Sequence, residues 1–248
     1  MKKNLLALAF LVGLLTCCKS EDAPIKPVKP TDPGSINKEY MSRAETTFAN
    51  IFKYYWSDKV RMLFGSYPNT LGTPQEPSSP DYDSHAYLWG LGSVVSAFNA
   101  IVQNTDNVDF RMTYESRLKE TLLKYYNTTK EPMCFGCFVN PHDQRLYDDA
   151  IWVGIDLADL YSKTKDSWYL DYAKSVWNFV LSGKDDELGG GVYWDENAKD
   201  SKNTCSNAPA VVLALKLYQI TNDAAYLENG KDIYKWTKSK LQDPSDYL

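Results

Sequence analysis

A repeat of helical character runs through the second half of the chain. The dipeptide Leu160-Tyr161 returns as Leu217-Tyr218, and Tyr169-Leu170 returns as Tyr226-Leu227, at one constant offset of 57 residues. The same offset pairs Asp166 with Asp223, Lys174 with Lys231, and Trp177 with Tyr234. Each copy is typical of one helical hairpin, which cannot bury its apolar face alone, so neighbouring copies must stack. A closed ring of six hairpins, the (α/α)6 toroid, satisfies this requirement, and an open solenoid is the alternative.

Apolar residues at three- and four-residue spacing predict seven helices. The predicted segments are Ile36–Trp56, Ser84–Gln103, Phe110–Tyr126, Asp149–Ser162, Trp168–Leu181, Ala208–Thr221 and Ala224–Leu241. The predicted N-caps are Asp106 or Asn107, Asp166, and Asn222 or Asp223. A six-hairpin ring needs twelve helices, so the predicted fold class is an all-α (α/α)6 helical toroid that is incomplete or C-terminally truncated. Such a ring would expose an apolar face on its last hairpin, around Leu213, Leu217, Ile233 and Trp236.

The first residues have the pattern of an export signal. Lys2 and Lys3 precede an apolar run that is too short to span a bilayer and ends at Cys17-Cys18. We interpret residues 1–18 as a lipoprotein signal peptide with Cys18 as the lipid anchor, and Cys17 as the alternative. Prolines spaced three apart favour an extended tether over 19–36, which leaves 37–248 as the toroid domain. The predicted location is the outer membrane, facing the cell surface.

Composition narrows the range of partners. The net charge is −5 and no basic stripe is visible, which argues against a nucleic-acid partner. Two histidines, His85 and His142, are too few for a His-rich zinc site, so we expect no metal and no cofactor. The three cysteines beyond the signal segment, Cys134, Cys137 and Cys205, allow at most one disulfide bond, and buried thiols are the simpler interpretation. We expect a monomer.

Two adjacent carboxylates open the fourth predicted helix. Asp148 and Asp149 stand where acidic residues favour a helix N-terminus, so capping alone could explain them. Capping explains one aspartate better than two. Adjacent buried carboxylates split their pKa values, which leaves one ionised and one able to hold a proton. Glycoside hydrolysis requires that division, and close spacing implies retention of configuration.

Linkers between the predicted helices supply candidate sugar-binding groups. A Gly189-Gly190-Gly191 turn leads into an aromatic pair, and the segment 202–209 lies one repeat after the carboxylate pair. Aromatic faces stack on sugar rings, whereas amide and ammonium groups bond to hydroxyls. Tight turns, helix caps and core packing are the competing explanations. The candidate substrate-binding residues are Tyr87, Trp89, Tyr147, Trp194, Lys202, Asn203 and Asn207.

Three motifs in order resemble glycoside hydrolase family 76. They are the Asp148-Asp149 pair before Trp152, the GGGVYW linker, and the KNTCSNAPA segment, and the resemblance runs from about Tyr40 to Leu248. The resemblance implies an (α/α)6 endo-acting α-1,6-mannanase that uses two adjacent aspartates with retention and has α-mannan as its substrate. It also implies that Asp148 is the nucleophile and Asp149 the acid/base. The family's domain is expected to continue beyond Leu248.

Two other functions remain as alternatives. The same scaffold could serve as a non-catalytic glycan-binding protein or an inactive remnant. A different helical-toroid enzyme, such as a lyase or an unsaturated-uronyl hydrolase, would need several basic residues for its acidic substrate. Only Lys202 lies in these linkers, which counts against that second alternative.

Overall fold

A computed structural model describes residues 38–68, 85–139 and 144–245. The predicted signal peptide, the Cys17 and Cys18 anchor positions, the tether and His142 lie outside the described residues. Seven α-helices form the described part: α1 Lys38–Tyr55, α2 Leu88–Asn104, α3 Val108–Tyr125, α4 Tyr147–Thr164, α5 Ser167–Ser182, α6 Thr204–Thr221 and α7 Ala224–Leu241. Two short antiparallel pairs join β1 Trp56–Ser57 to β2 Met62–Leu63, and β3 Tyr126–Asn127 to β4 Cys134–Phe135. The predicted all-α class is confirmed.

The helices form stacked hairpins. Helices α2, α4 and α6 contact one another in a row, while α5 packs on α4 and α7 packs on α6. Helix α1 closes the other end, where the Phe48 ring lies 6.0 Å from Phe98 and 5.3 Å from Phe110. One continuous core results, and each fully buried leucine in it contributes about 2 kcal/mol. This arrangement is an arc of an (α/α) toroid, as predicted.

The sequence repeat recurs in the backbone. Lys165 and Asn222, one repeat apart, end α4 and α6 in the left-handed conformation, with φ of 61° and 56°. Asp166 and Asp223 follow as N-caps, and each side chain accepts from a backbone N–H two residues later. Each cap stabilises its helix by about 1 kcal/mol. The two predicted hairpins are therefore built alike, down to their turns.

Helices α3 to α6 begin earlier than predicted, and the starts of α6 and α4 bear on the candidate site. Helix α6 begins at Thr204 because the Asn203 carbonyl accepts from the backbone N–H groups of Ser206 and Asn207 and so closes a first turn. Helix α4 begins at Tyr147, which brings both aspartates inside its first turn. None of the helices in the described residues combines the length and apolar character needed to cross a bilayer.

The prediction of which apolar side chains the last hairpin exposes is wrong. The four side chains are buried: Leu213, Leu217, Ile233 and Trp236. Other apolar side chains of this hairpin are exposed instead: Val212, Leu215, Tyr234 and Leu241. Helix α6 is apolar on nearly every side, so its pattern could not show which side α4 and α7 would cover.

Candidate active site

The carboxylate pair lies where a helix start meets the glycine-rich linker. Asp148 and Asp149 occupy the first turn of α4. The backbone N–H of Tyr147 donates to the Trp194 carbonyl at 3.0 Å, which fixes the linker against this turn. The N-cap position belongs to Leu146, and no side chain caps the helix. Capping therefore does not explain either aspartate.

Asp148 has one satisfied and one unsatisfied oxygen. Its Oδ2 accepts a hydrogen bond from Trp194 Nε1 at 3.3 Å, whereas Oδ1 is buried without a hydrogen-bond partner. The Cys205 thiol also contacts this carboxylate. Partial desolvation, followed by the nearby Asp148 charge, raises the pKa of Cys205. An oriented carboxylate with a free oxygen is suited to nucleophilic attack.

Asp149 has the environment of a proton donor. Burial, reinforced by the charge of Asp148, raises the pKa of Asp149 to about 6. A hydrogen bond from the Cys137 thiol lowers this pKa and so opposes the rise. A carboxyl group with a raised pKa can hold a proton close to neutral pH, as the acid in acid–base chemistry must.

A pocket of about 280 Å³ opens beside Asp149. Its other lining residues are Trp89, Gly92, Ser93 and Ser96 of α2 and Trp152 of α4. The two indoles are 56% and 43% exposed, so their faces are available to a ligand. Sequence reasoning missed Trp152 and the serines as site residues. Helical spacing carried a signal, because Trp152 lies three residues after Asp149 and the α2 residues recur at three- and four-residue intervals.

Two further candidates, Tyr87 and Asn203, stand at the starts of α2 and α6. Tyr87 holds the N-cap position of α2, is half exposed, and meets Phe138 edge-on at 4.9 Å between ring centroids. Asn203 holds the N-cap position of α6, and its side chain makes no capping hydrogen bond. Neither residue lines the pocket beside Asp149.

Three predicted site residues are buried instead: Tyr147, Asn207 and Lys202. Tyr147 is 1% exposed and stacks on Phe179 with ring centroids 4.3 Å apart. The Asn207 side chain accepts from the Val192 N–H at 2.7 Å and donates to the Val192 carbonyl at 2.8 Å. Burial keeps the Tyr147 hydroxyl away from a sugar, and the Asn207 amide is used within the linker. Asn207 acts as a backbone surrogate that holds the linker.

The buried side chain of Lys202 holds the glycine-rich linker in place. Its side chain is fully buried, and Nζ donates to Asp185 Oδ1 at 2.7 Å and to the carbonyls of Glu187 and Gly190 at 2.8 and 2.9 Å. Because the ammonium is saturated, it does not reach the pocket. A buried polar network of this kind specifies one loop conformation.

The glycines allow this loop to pack closely against α7. Gly190 and Gly191 have φ of 115° and 77°, conformations that favour glycine. A Cβ on Gly191 would lie 2.4 Å from the Trp236 ring, so only glycine allows the loop to lie flat on α7. The loop is thus a support for Trp194, which continues from it toward Asp148.

The three cysteines within the described residues do not form a disulfide. Cys134 and Cys137 are buried free thiols, and Cys205 is an exposed free thiol. In the part of the chain that the structure describes, no three His, Cys, Asp or Glu side chains are grouped as metal ligands.

Solved structures share this architecture. A family 76 glycoside hydrolase from a bovine Bacteroides thetaiotaomicron strain matches with a TM-score of 0.74 and 31% identity, over 84% of this chain and 44% of that one. The α-1,6-mannanase of Salegentibacter sp. HEL1_6 matches with a TM-score of 0.62 and 26% identity, over 83% and 52%. An inactive variant of that mannanase, with two consecutive aspartates replaced by alanine, was solved with an α-1,6-linked mannotetraose and matches at 24% identity, a TM-score of 0.61, and 83% and 52% coverage.

The chain spans about half the length of these solved relatives. No curated sequence matches it. The family model described as glycosyl hydrolase family 76 matches residues 39–248, which include the carboxylate pair, the linker and every helix described above except the first residue of α1. The chain belongs to glycoside hydrolase family 76.

Proposed function

We propose that this protein is a retaining, endo-acting glycoside hydrolase that cleaves α-1,6-mannosidic linkages in mannan. One observation carries the proposal: Asp148 presents a buried oxygen with no hydrogen-bond partner, while its neighbour Asp149 has a pKa raised to about 6. A nucleophile and a proton donor are thus adjacent in the chain, and Asp149 lines a pocket with exposed indoles.

The proposed reaction has two steps. In the first, Asp148 attacks the anomeric carbon and Asp149 gives its proton to the departing glycosidic oxygen, which leaves a glycosyl ester on Asp148. In the second, Asp149, now ionised, takes a proton from water as that water attacks the same carbon and releases Asp148. Two inversions give net retention of configuration.

The relatives support mannan as the substrate. The Salegentibacter enzyme is described as an α-1,6-mannanase, and its inactive form lacks two consecutive aspartates. Consecutive aspartates also form the pair in this chain. The exposed indole faces of Trp89 and Trp152 suit the C–H faces of sugar rings.

We also propose attachment to the outer membrane through lipid on Cys18, with the domain facing outward. The support is the order of basic residues, apolar run, cysteines and proline tether along residues 1–36. Metabolic labelling with a fatty acid tests this directly. Label should disappear when Cys17 and Cys18 are both changed to serine, and label that persists would contradict the anchor.

Glycan binding without turnover is the second candidate. The observation that favours it is the exposure of Trp89 and Trp152, which can hold a sugar without help from either carboxylate. The chain also spans about half the length of the solved family members.

Incubation of the full chain with unbranched α-1,6-mannan distinguishes the two functions. Endo-acting cleavage predicts a mixture of oligosaccharides early in the reaction, with the α-anomer as the first product seen by proton NMR. The double variant Asp148→Asn/Asp149→Asn should yield no products. Binding of mannan without any products would favour the second candidate, and a β-anomeric first product would contradict retention.

A further inference from the structure

A buried hydrogen-bond network lies beneath the pocket beside Asp149. Asp156 follows Asp149 by about two helical turns on α4 and is 6% exposed. Its Oδ2 accepts from the Ser96 hydroxyl at 2.5 Å, and its Oδ1 accepts from Asn99 Nδ2 at 2.9 Å. Ser96 and Asn99 both belong to α2, so the network joins the two helices that form the pocket.

The direction of these hydrogen bonds follows from their chemistry. Gln103 Nε2 donates to Asn99 Oδ1 at 3.0 Å, which turns the Asn99 amide nitrogen toward Asp156. A carboxylate with a donor on each oxygen acts only as an acceptor. Ser96 therefore spends its single hydroxyl proton on Asp156. Since Ser96 also lines the pocket, the group that it offers to a ligand is an oxygen lone pair.

Ser93 also offers a hydrogen-bond acceptor to the pocket. Ser93 lies nearly one turn before Ser96 on α2, and its hydroxyl points to the Trp89 carbonyl at 3.4 Å, a long hydrogen bond within the helix. This wall of the pocket thus presents acceptors between two indole faces. A ligand that fits must combine an apolar face with hydroxyl groups that donate, which is the chemistry of a neutral sugar.

We propose that Ser96, oriented by the buried carboxylate of Asp156, is a specificity residue that accepts a hydrogen bond from one hydroxyl of the sugar bound beside Asp149. This inference rests on the proposed function, because it assigns a ligand contact within the same cleft. Asp156 is a positioning residue in this scheme: it touches no ligand, and its effect on the ligand passes through Ser96.

Calorimetric binding of an α-1,6-linked mannotriose to the full chain tests this proposal. The Asp148→Asn form serves as the background, so that turnover does not consume the ligand. Adding Ser96→Ala should weaken binding by roughly 3- to 10-fold, the usual effect of one neutral hydrogen bond. Ser162→Ala is the matched control, since the Ser162 hydroxyl donates within α4 to the Ala158 carbonyl and does not line the pocket. It should leave the dissociation constant unchanged.

Coupling identifies the role of Asp156. Asp156→Asn puts an amide opposite Ser96, reverses the hydrogen bond and should also weaken binding, but it should add little once Ser96 is alanine. A purely structural effect of Asp156 would instead appear equally in both backgrounds. Mannotrioses that each lack one hydroxyl give a readout that needs no Asp156 variant. The mannotriose that lacks the hydroxyl bound by Ser96 should bind more weakly than the complete mannotriose when Ser96 is present. Once Ser96 is alanine, the two sugars should bind equally well.

The failures are distinguishable. The assignment of Ser96 would be overturned if the Ser96→Ala form bound mannotriose with full affinity. It would also be overturned if every deoxy sugar lost the same affinity with and without Ser96. Either result would leave the proposed function standing. No binding of any mannooligosaccharide to any form would overturn the proposed function and this inference together.

Discussion

Trp194 donates its indole N–H to Asp148 Oδ2 at 3.3 Å, although 46 residues separate them in the chain. The contact exists because the Tyr147 backbone and the Trp194 carbonyl are hydrogen-bonded, and because Lys202 holds the preceding loop. The proposed nucleophile is thus oriented by the linker rather than by its own helix.

Replacing Trp194 with phenylalanine tests this orientation. The variant keeps an aromatic face but loses the donor, so kcat/KM on α-1,6-mannan should fall about tenfold, the value of one hydrogen bond to a charged group. Trp56→Phe is the matched control, because Trp56 Nε1 makes the same kind of bond to Asp58 at 2.9 Å on the exposed surface. Equal losses in both variants, measured by initial rates, would argue against a role in orientation.

Asp149→Asn should stabilise the fold at neutral pH. The pKa of Asp149 is raised from 3.8 to about 6, so its ionisation destabilises the native state, and this cost appears as pH rises from about 4 to 6. Asparagine removes the cost, and we expect a gain of about 1 to 2 kcal/mol at pH 7 and none near pH 3.5.

Urea unfolding at the two pH values measures this difference. Asp109→Asn, an exposed first-turn aspartate of α3, is the control and should lose a few tenths of a kcal/mol at pH 7. A loss of that kind in Asp149→Asn would restore the capping explanation.

Burial and the charge of Asp148 raise the pKa of Asp149, and the Cys137 thiol should lower the alkaline limit of activity by opposing that rise. Its hydrogen bond lowers the pKa of Asp149, so Cys137→Ala should raise that pKa and shift the alkaline limb of kcat/KM to higher pH. Cys134→Ala removes another buried thiol whose neighbours are Arg145 and Glu196 rather than the aspartates. Its pH–rate profile should coincide with that of the unchanged protein. A common shift in both variants would contradict a specific role for Cys137.

Lys202 should matter to stability and not to sugar affinity. Lys202→Met leaves four loop acceptors without their donor, and we expect the free energy of unfolding in urea to fall by about 2 to 4 kcal/mol. Lys231→Met, which removes an exposed pair with Glu228, should cost less than about 0.5 kcal/mol. If Lys202→Met unfolds normally but binds mannotriose poorly, Lys202 belongs to the cleft after all.

Local signals in the sequence predicted the repeat and its caps. Asp166 and Asp223 cap their helices through bonds to residues two positions later, so the sequence contains both partners. The carboxylate pair stood out for a similar reason, because two acids at a helix start exceed what capping needs.

Residue type alone could not distinguish the residues that line the cleft from those that hold the loop in place. Lys202 and Asn207 carry the groups that bind sugars, but the same groups satisfy buried backbone, and only the folded loop shows which use applies. Ser96 and Asp156 were missed because their contact joins two helices 60 residues apart.

A covalent intermediate tests the division of labour between the two aspartates most directly. Asp149→Asn keeps the nucleophile but lacks the proton donor and the base, so an activated mannoside that needs no protonation should still react, and the ester on Asp148 should then accumulate. Intact-protein mass spectrometry of the Asp149→Asn chain should show the added glycosyl mass, and peptide mapping should place it on Asp148. No such adduct should form when Asp148 is also asparagine. An adduct on another residue, or cleavage of α-1,6-mannan at the full rate with both aspartates replaced, would contradict the assignment of this pair.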